Sequence, residues 1–278
     1  MSGIKIDAHQ HFWKYNKKDY GWINDSLYVL QRDFLPDDLL AEMTKVQYKA
    51  CISVQARQTL DETQWLLDLA KQNSFIKGVV GWLDLCSTSL DDHLEQFCKN
   101  PKLMGIRHVL QDEKDDAFML RTDFQEGISK LSLRNLIYEI LIYPKHLPHA
   151  IELVKNFPHQ IFVLDHIAKP AIKSREMQDW ADNIFKLAEC KNVYVKASGM
   201  ITEADWKLWR PDDFTPFLDV IWKAFGEDRI MIGSNWPVCL LAGSYTQVLC
   251  LTEGYFEKYS PSVLSKIQGG NAARIYQL

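Results

Sequence analysis

Short apolar runs alternate with amphipathic segments from one end of the chain to the other. Eight of these runs are rich in Ile, Val, Leu or aromatic residues, which is typical of strands that are buried on both faces. They cover residues 4–9, 50–55, 76–83, 103–109, 136–141, 161–164, 193–196 and 230–232. The pattern therefore predicts eight short buried strands.

The segments between these runs have the pattern of helices that pack on a sheet. At 60–72 the apolar residues recur at i, i+1, i+4 and i+5 and form one stripe. Pro36 begins another helix, whose first turn carries two acidic residues that complement the helix dipole. Further helices are predicted at 90–98, 124–132, 146–156, 177–189 and 214–225.

This strand–helix alternation determines the predicted fold. It implies parallel strands joined by right-handed crossovers. Eight repeats in 278 residues favour a closed (β/α)₈ TIM barrel, which has about 250 residues, over an open doubly wound sheet. No linker or low-complexity stretch divides the sequence, so residues 1–278 are predicted to form a single barrel domain. The sequence has no glycine-rich phosphate loop, which argues against a nucleotide-binding fold.

Charge and cysteine content narrow the choice of partner and compartment. The 32 basic and 36 acidic residues give a net charge of −4 and form no basic run, which argues against nucleic acid or a membrane as a partner. The six cysteines form no C-x-x-C pair, as is typical of reduced thiols. The first residues lack the pattern of a secretory signal, and no apolar run approaches the roughly 20 residues that span a bilayer. We therefore expect a cytoplasmic protein, of unspecified oligomeric state, whose partner is a small molecule.

The strongest chemical signal lies at the end of the first predicted strand. His9 and His11 are two residues apart, so period-two alternation places both imidazoles on the same face. Two such imidazoles can bind one divalent metal, or they can hold a substrate oxygen by hydrogen bonds. Because the active sites of (β/α)₈ barrels lie at the carboxyl ends of the strands, this position favours a functional role.

Polar residues also follow the sixth and eighth predicted strands. His166 lies at the end of the sixth, and Asn235 at the end of the eighth, where Gly233 permits close approach of the backbone. The irregular stretch at 12–34 comes directly after the first strand and contains seven aromatic residues. We expect this loop to form one wall of a pocket, although packing a small core of its own is an equal alternative.

Longer motifs extend over nearly the whole chain. They are DAHQHFW at 7–13, YGWI at 20–23, RDF at 32–34, GIRH at 105–108, LDHIAKP at 164–170, VKASG at 195–199, GSNWPV at 233–238 and GNAARIY at 270–276. Together they resemble the amidohydrolase superfamily. The resemblance is strongest to the sugar-lactone hydrolase branch, which includes fuconolactonase-like and rhamnonolactonase-like enzymes.

This resemblance implies that water attacks a lactone carbonyl at the mouth of the barrel. It matches His9, His11 and His166 to the family's metal-binding or carbonyl-binding histidines, and these three with Asn235 are the predicted catalytic residues. The predicted substrate-binding residues are Trp13, Trp22, Arg107, His108, Lys196 and Trp236. Cationic groups among them would stabilise the developing oxyanion.

Asn235 departs from the superfamily, whose eighth strand usually ends in an aspartate that binds metal and accepts the proton of the water. An amide is a poorer metal ligand than a carboxylate and is not a base at neutral pH. The histidine that the fifth strand contributes to two-metal sites also has no match, because residues 138–140 read YEI. We therefore expect one weakly bound divalent metal such as Zn²⁺ on the three histidines, or none. The base would be one of these histidines, or Glu139 if it faces inward.

Two other functions fit parts of the sequence. A metal-dependent decarboxylase of the same superfamily would need a firmly bound metal, and Asn235 counts against one. A catalytically silent barrel that binds a sugar acid or a partner protein would explain Asn235, but it gives no reason for converging imidazoles. The sequence therefore favours a hydrolase of carboxylic esters that opens a fucono- or rhamnonolactone-like sugar lactone.

Overall fold

A computed structural model describes residues 3–278. Met1 and Ser2, which the predicted domain at 1–278 includes, lie outside the described residues. Eight parallel strands form one sheet in sequence order. They are β1 (Ile6–Gln10), β2 (Ala50–Val54), β3 (Ile76–Gly81), β4 (Leu103–His108), β5 (Ile137–Ile140), β6 (Phe162–Leu164), β7 (Val193–Ala197) and β8 (Ile230–Ile232). The predicted (β/α)₈ barrel is confirmed.

Helices follow the strands and cover the outside of the sheet. They are α1 (Pro36–Lys45), α2 (Leu60–Gln72), α3 (Leu90–Phe97), α4 (Thr122–Ser132), α5 (Leu147–Asn156), α6 (Gln178–Ala188), α7 (Pro211–Phe225), α8 (Tyr245–Phe256), α9 (Pro261–Ser265) and α10 (Asn271–Ile275). Within residues 3–278, none of these helices is both long and apolar enough to cross a membrane.

The sequence pattern does not predict α8. Apolar residues occur on most sides of this helix, so it has no clear stripe. Its start does carry a signal, because Ser244 and Gln247 form a capping box. The Ser244 hydroxyl accepts from the Gln247 backbone N–H at 3.2 Å, and the Gln247 side chain accepts from the Ser244 N–H at 2.8 Å.

Apolar side chains pack on both sides of the sheet. The larger cluster lies between strands and helices and includes Leu66 of α2 and Ile184 of α6. The smaller cluster fills the inside of the barrel with residues such as Ile52 and Val163. Tyr276, close to the carboxyl terminus, belongs to this inner cluster, so the end of the chain seals the barrel interior.

The barrel closes between β1 and the residues that follow β8. The backbone N–H of His11 donates to the carbonyl oxygen of Trp236 at 2.7 Å, and the N–H of Asn235 donates to that of His9 at 2.8 Å. This seam lies at the carboxyl ends of both strands. It therefore fixes the two histidines of β1 against Asn235.

The buried carboxylate of Asp7 reinforces the seam. One of its oxygens accepts from the Ser234 N–H at 2.9 Å and the other from the Ser234 hydroxyl at 2.6 Å. The N–H of His9 also donates to Asp7, at 3.1 Å. Burial raises the pKa of Asp7 to about 6, although these hydrogen bonds oppose the rise.

Candidate active site

A bulge in β1 directs His9 and His11 toward the same space. From Asp7 to Gln10, β1 advances three residues while its partner β2 advances two. The Nε2 atoms of His9 and His11 consequently lie 3.2 Å apart. Gly233 is required beside them, because a Cβ there would lie 2.6 Å from the Cβ of His9.

The hydrogen bonds of His11 fix its tautomer. Its Nδ1 lies 2.8 Å from the carbonyl oxygen of Val54, which can only accept, so Nδ1 carries the proton. The Nε2 atom therefore bears a lone pair, and Oδ1 of Asn235 lies 3.3 Å from it. Asn235 has a left-handed backbone with φ +56°, which asparagine tolerates better than most residues.

Four charged side chains lie behind these histidines. Oδ2 of Asp165 accepts from Arg107 at 2.9 Å, and Oδ1 of Asp165 lies 3.4 Å from the ammonium of Lys196. Lys196 also donates to Glu139 at 2.6 Å. His9 joins this network through Nδ1, which lies 3.3 Å from Oδ1 of Asp165. Glu139 therefore faces inward, and Lys196 is fully buried below the site.

Burial keeps the three imidazoles neutral. It lowers the pKa of His11 to about 3, with Arg107 adding to the effect. It also lowers the pKa values of His9 and His166 well below the ordinary range. Each ring therefore has one nitrogen lone pair at neutral pH, and each can accept a proton or bind a cation.

The pKa values of the two carboxylates in this network shift in opposite directions. Burial alone would raise the pKa of Asp165, but the Lys196 charge, together with His9 and Arg107, holds it well below its usual value. Burial raises the pKa of Glu139 to about 7 against the opposing charge of Lys196. Asp165 is therefore the permanent negative charge of the network.

His166 is brought in by the loop after β6. Its Nδ1 lies 2.8 Å from the hydroxyl of Ser198, and its ring centroid lies 4.4 Å from that of His9. Gly199 lies against it, and a Cβ there would lie 2.6 Å from the His166 Nδ1. The four predicted catalytic residues His9, His11, His166 and Asn235 thus converge at one end of the barrel.

Three of these residues, His11, His166 and Asn235, lie at the floor of an open cavity of about 710 Å³, and His9 lies buried beneath them. His11, Arg107, His166 and Asn235 all line it. The loops after β1, β2, β4 and β6 supply the walls. This is the position at which (β/α)₈ barrels place their chemistry, and the volume lies within the range of pockets that bind small molecules.

Two overlapping sets of side chains have the donor atoms for a divalent metal. Among residues 3–278, the ligand atoms of His9, Asp165 and His166 lie within 4.8 Å of one another. The second set consists of His11, His9 and Asn235. The predicted set of three histidines is therefore divided between two groups that share His9.

The atoms of the second set face one another as acceptors. Arg107, which can only donate, lies 3.3 Å from Nε2 of His9, so this nitrogen also bears a lone pair. The Nε2 lone pair of His9 faces the Nε2 lone pair of His11, which in turn faces Oδ1 of Asn235. Nitrogen and oxygen donors in this arrangement suit zinc, but the set carries no negative charge. In the first set, the negative charge of Asp165 is already balanced by the positive charges of Arg107 and Lys196.

His108 does not reach the cavity. Alternation along β4 turns Arg107 inward and His108 outward. There, His108 bonds to Glu113 at 2.7 Å and stacks on Phe118 with ring centroids 5.2 Å apart. The expectation that His108 binds substrate is therefore replaced by a structural role.

The predicted aromatic residues divide between the cavity and a small core. Trp13 is fully buried, and its indole N–H donates to the carbonyl oxygen of Arg32 at 2.9 Å. Trp236 is 2% exposed and packs edge-on against Phe34, as Trp13 does. Trp22 is 41% exposed and lines the cavity. The loop at 12–34 therefore forms one wall and also packs its own core, and neither Trp13 nor Trp236 is among the residues that line the cavity.

The sequence pattern alone assigns no role to Asp165 or Ser198. Asp165 connects two cations to His9, and Ser198 holds the His166 ring. Asp165 lies in the LDHIAKP motif, directly before His166, and Ser198 lies in the VKASG motif. An acidic residue at the end of a buried strand is a signal for this kind of site.

The chain is similar along its whole length to proteins of known activity. The sequence model of the amidohydrolase family matches residues 6–278. The L-fucono-1,5-lactonase of Burkholderia multivorans is 40% identical over 289 residues, which cover 100% of this chain and 97% of that protein. The L-fucono-1,5-lactonase of Burkholderia ambifaria is 34% identical, and the match covers 99% of this chain and 96% of that protein.

A solved structure supports the same relationship. It is the crystal structure of a Burkholderia multivorans amidohydrolase with bound zinc. It matches with a TM-score of 0.96 at 40% identity and covers 99% of this chain and 100% of that chain.

Proposed function

Because this chain belongs to the amidohydrolase family, we propose that it is a hydrolase that opens a sugar-derived 1,5-lactone of the fuconolactone type. The observation that carries the proposal is the floor of the cavity, where the neutral imidazoles of His11 and His166 meet the guanidinium of Arg107, with the ring of His9 directly beneath them. Full-length similarity to two L-fucono-1,5-lactonases supports the substrate class.

In this proposal His11 accepts the proton of the attacking water. Its Nε2 lone pair is fixed by the bond from Nδ1 to Val54, and the ring lines the cavity. The Nε2 of His9 lies 3.2 Å behind it, and its lone pair can accept a hydrogen bond from the proton that His11 gains. The amide of Asn235 orients the water by accepting its second hydrogen.

The carbonyl oxygen becomes negative when water adds, and His166 and Arg107 stabilise it. Nδ1 of His166 is hydrogen-bonded to the hydroxyl of Ser198, so Nε2 is the nitrogen that contacts the substrate. Arg107 supplies a permanent positive charge at the same floor. The water oxygen bonds to the carbonyl carbon, the ring C–O bond breaks, and the ring oxygen leaves as a hydroxyl. The products are a sugar carboxylate and one proton.

This chemistry demands less of the base than amide hydrolysis does. A sugar δ-lactone is an activated ester, so an imidazole suffices where the superfamily uses an aspartate. A bound zinc on either set of donor atoms would polarise the carbonyl as a Lewis acid. Because neither set offsets the charge of the metal, we propose that zinc binds weakly.

Compartment and partners follow from general properties of the chain. All six cysteines are free, which suits the reducing cytoplasm. The net charge of −4 gives no reason to expect nucleic acid or an anionic membrane as a partner. We propose a cytoplasmic enzyme that acts on a small sugar lactone.

A lactone panel tests the proposal. Purified protein is mixed with L-fucono-1,5-lactone, L-rhamnono-γ-lactone and unsubstituted δ-valerolactone, and proton release is followed with an indicator, with and without chelator. We expect the fuconolactone to react fastest. The His11→Gln variant should lose about 100-fold or more in kcat, while the exposed His159→Gln control should not change. If no lactone opens faster than in buffer, the lactonase proposal is wrong.

A further inference from the structure

Four consecutive non-glycine residues after β6 adopt a left-handed backbone. Their φ values are +53° at His166, +48° at Ile167, +61° at Ala168 and +49° at Lys169. L-residues rarely adopt this conformation, and a β-branched residue such as isoleucine does so least of all. The indole N–H of Trp180 donates to the carbonyl oxygen of Ile167 at 2.8 Å and helps to hold the turn. Strain of this kind concentrates at functional sites.

The turn directs two side chains into the cavity. His166 and Lys169 are three residues apart, so one helical turn places them on the same side. Both line the cavity, whereas Ile167 and Ala168 are fully buried in the core. The backbone N–H of Lys169 donates to the carbonyl oxygen of His166 at 2.8 Å, which fixes their separation. The strained turn therefore presents Lys169 together with His166.

The ammonium of Lys169 has no anionic partner in the described part of the chain. Among residues 3–278 it makes no hydrogen bond or ion pair, and the Tyr143 ring centroid lies 5.3 Å from it. Arg57 and Arg107, which line the same cavity, each pair with a carboxylate, at 2.7 and 2.9 Å. Burial lowers the pKa of Lys169, and the charge of Glu203 opposes this shift. A largely buried cation without an anionic partner is unfavourable unless a ligand supplies the negative charge.

The proposed reaction supplies such a ligand. A neutral lactone enters, water adds to its carbonyl, and the oxyanion that forms becomes a carboxylate when the ring C–O bond breaks. We propose that the Lys169 ammonium binds this oxyanion and then the carboxylate of the ring-opened sugar acid. The inference rests on the lactonase function proposed above and adds a binding residue to it. The site would therefore prefer a monoanionic sugar acid over the neutral sugar.

Binding measurements on the whole protein test this role without requiring turnover. The probes are the sugar acid obtained by alkaline opening of L-fucono-1,5-lactone and the corresponding neutral sugar, both titrated by calorimetry. Lys169→Met should weaken binding of the acid about tenfold or more, and that of the neutral sugar less than threefold. Lys169→Arg should retain most of the affinity for the acid. Lys173→Met, the same change four residues along the loop, should alter neither.

The outcomes separate this inference from the proposed function. Suppose that the wild type opens lactones. The role of Lys169 is then refuted if the affinity of Lys169→Met for the acid is within threefold of the wild-type value, or if its affinities for the acid and for the neutral sugar fall by the same factor. If the wild type opens no lactone but binds the acid in a Lys169-dependent way, the lactonase proposal fails and the carboxylate site stands. A wild type that opens lactones without measurable affinity for the acid also overturns the inference. Thermal melting of each variant confirms that it is folded.

Discussion

Oδ1 of Asn235 lies 3.3 Å from Nε2 of His11, and both atoms are hydrogen-bond acceptors. The amide oxygen can only accept, and Nε2 of His11 is an acceptor because His11 donates its Nδ1 proton to the carbonyl oxygen of Val54. An aspartate at position 235 would place a negative charge here, where it could accept a proton or ligate a metal. The amide does neither well. The seam between β1 and β8 therefore holds the atoms of a metal site without the usual charge.

The first prediction concerns metal content. Asn235→Asp restores a charged ligand beside His9 and His11, so it should tighten zinc binding. The wild type should purify with substoichiometric zinc, and the variant should carry close to one zinc per chain. Elemental analysis before and after dialysis against chelator measures both.

Asn235→Ala is the control for this experiment. It removes the oxygen ligand without adding charge, so its zinc content should not exceed that of the wild type. One full, chelator-resistant zinc in the wild type, with activity lost on its removal, would show that the amide is an adequate ligand.

The sequence predicts the barrel and the place of the site because both follow from periodicity. Eight apolar runs mark the strands, and His9, His11, His166 and Asn235 each lie at or just beyond a strand end. The carboxyl ends of the strands of a parallel barrel form one rim, so these residues must converge. Neither inference requires knowledge of side-chain contacts.

The side-chain assignments that depend on which face a residue occupies are harder to predict. His108 and Arg107 are neighbours on β4, and alternation alone does not say which of them faces inward. The bulge in β1 and the left-handed turn at 166–169 are likewise invisible in the pattern, because both depend on tertiary contacts. The charge network around Asp165 forms across β4 to β7 and appears only when the barrel closes.

A second prediction tests the close approach at the seam. Gly233→Ala places a Cβ 2.6 Å from the Cβ of His9, so it should lower the free energy of unfolding by about 2 kcal/mol and displace His9. Gly254→Ala is the matched control. It lies in α8 with no atom within 4 Å of the added Cβ and should raise stability by about 0.5–1 kcal/mol. Urea unfolding measures both, and equal effects of the two changes would refute the steric argument.

A third prediction concerns the buried charges. Asp165→Asn leaves the buried Arg107 without a counter-charge and Lys196 with Glu139 alone, so the free energy of unfolding should fall by about 3 kcal/mol or more. Asp91→Asn removes an exposed carboxylate that also contacts two cations, and should have no measurable effect. Chemical denaturation of both variants tests this. If Asp165→Asn is as stable as Asp91→Asn, the network does not depend on that charge.

The last prediction concerns the loop wall. Trp22 is 41% exposed, lines the cavity and meets Trp13 edge-on with ring centroids 5.8 Å apart. Trp22→Ala removes an apolar surface on which a sugar ring can pack, so KM for the lactone should rise about tenfold while kcat stays within about twofold. Trp206→Ala is the matched control, because Trp206 is 40% exposed but does not line this cavity. Steady-state kinetics on both variants separate the two roles of the loop. An unchanged KM in Trp22→Ala, or an equal rise in Trp206→Ala, would mean that the loop serves only to pack its own core.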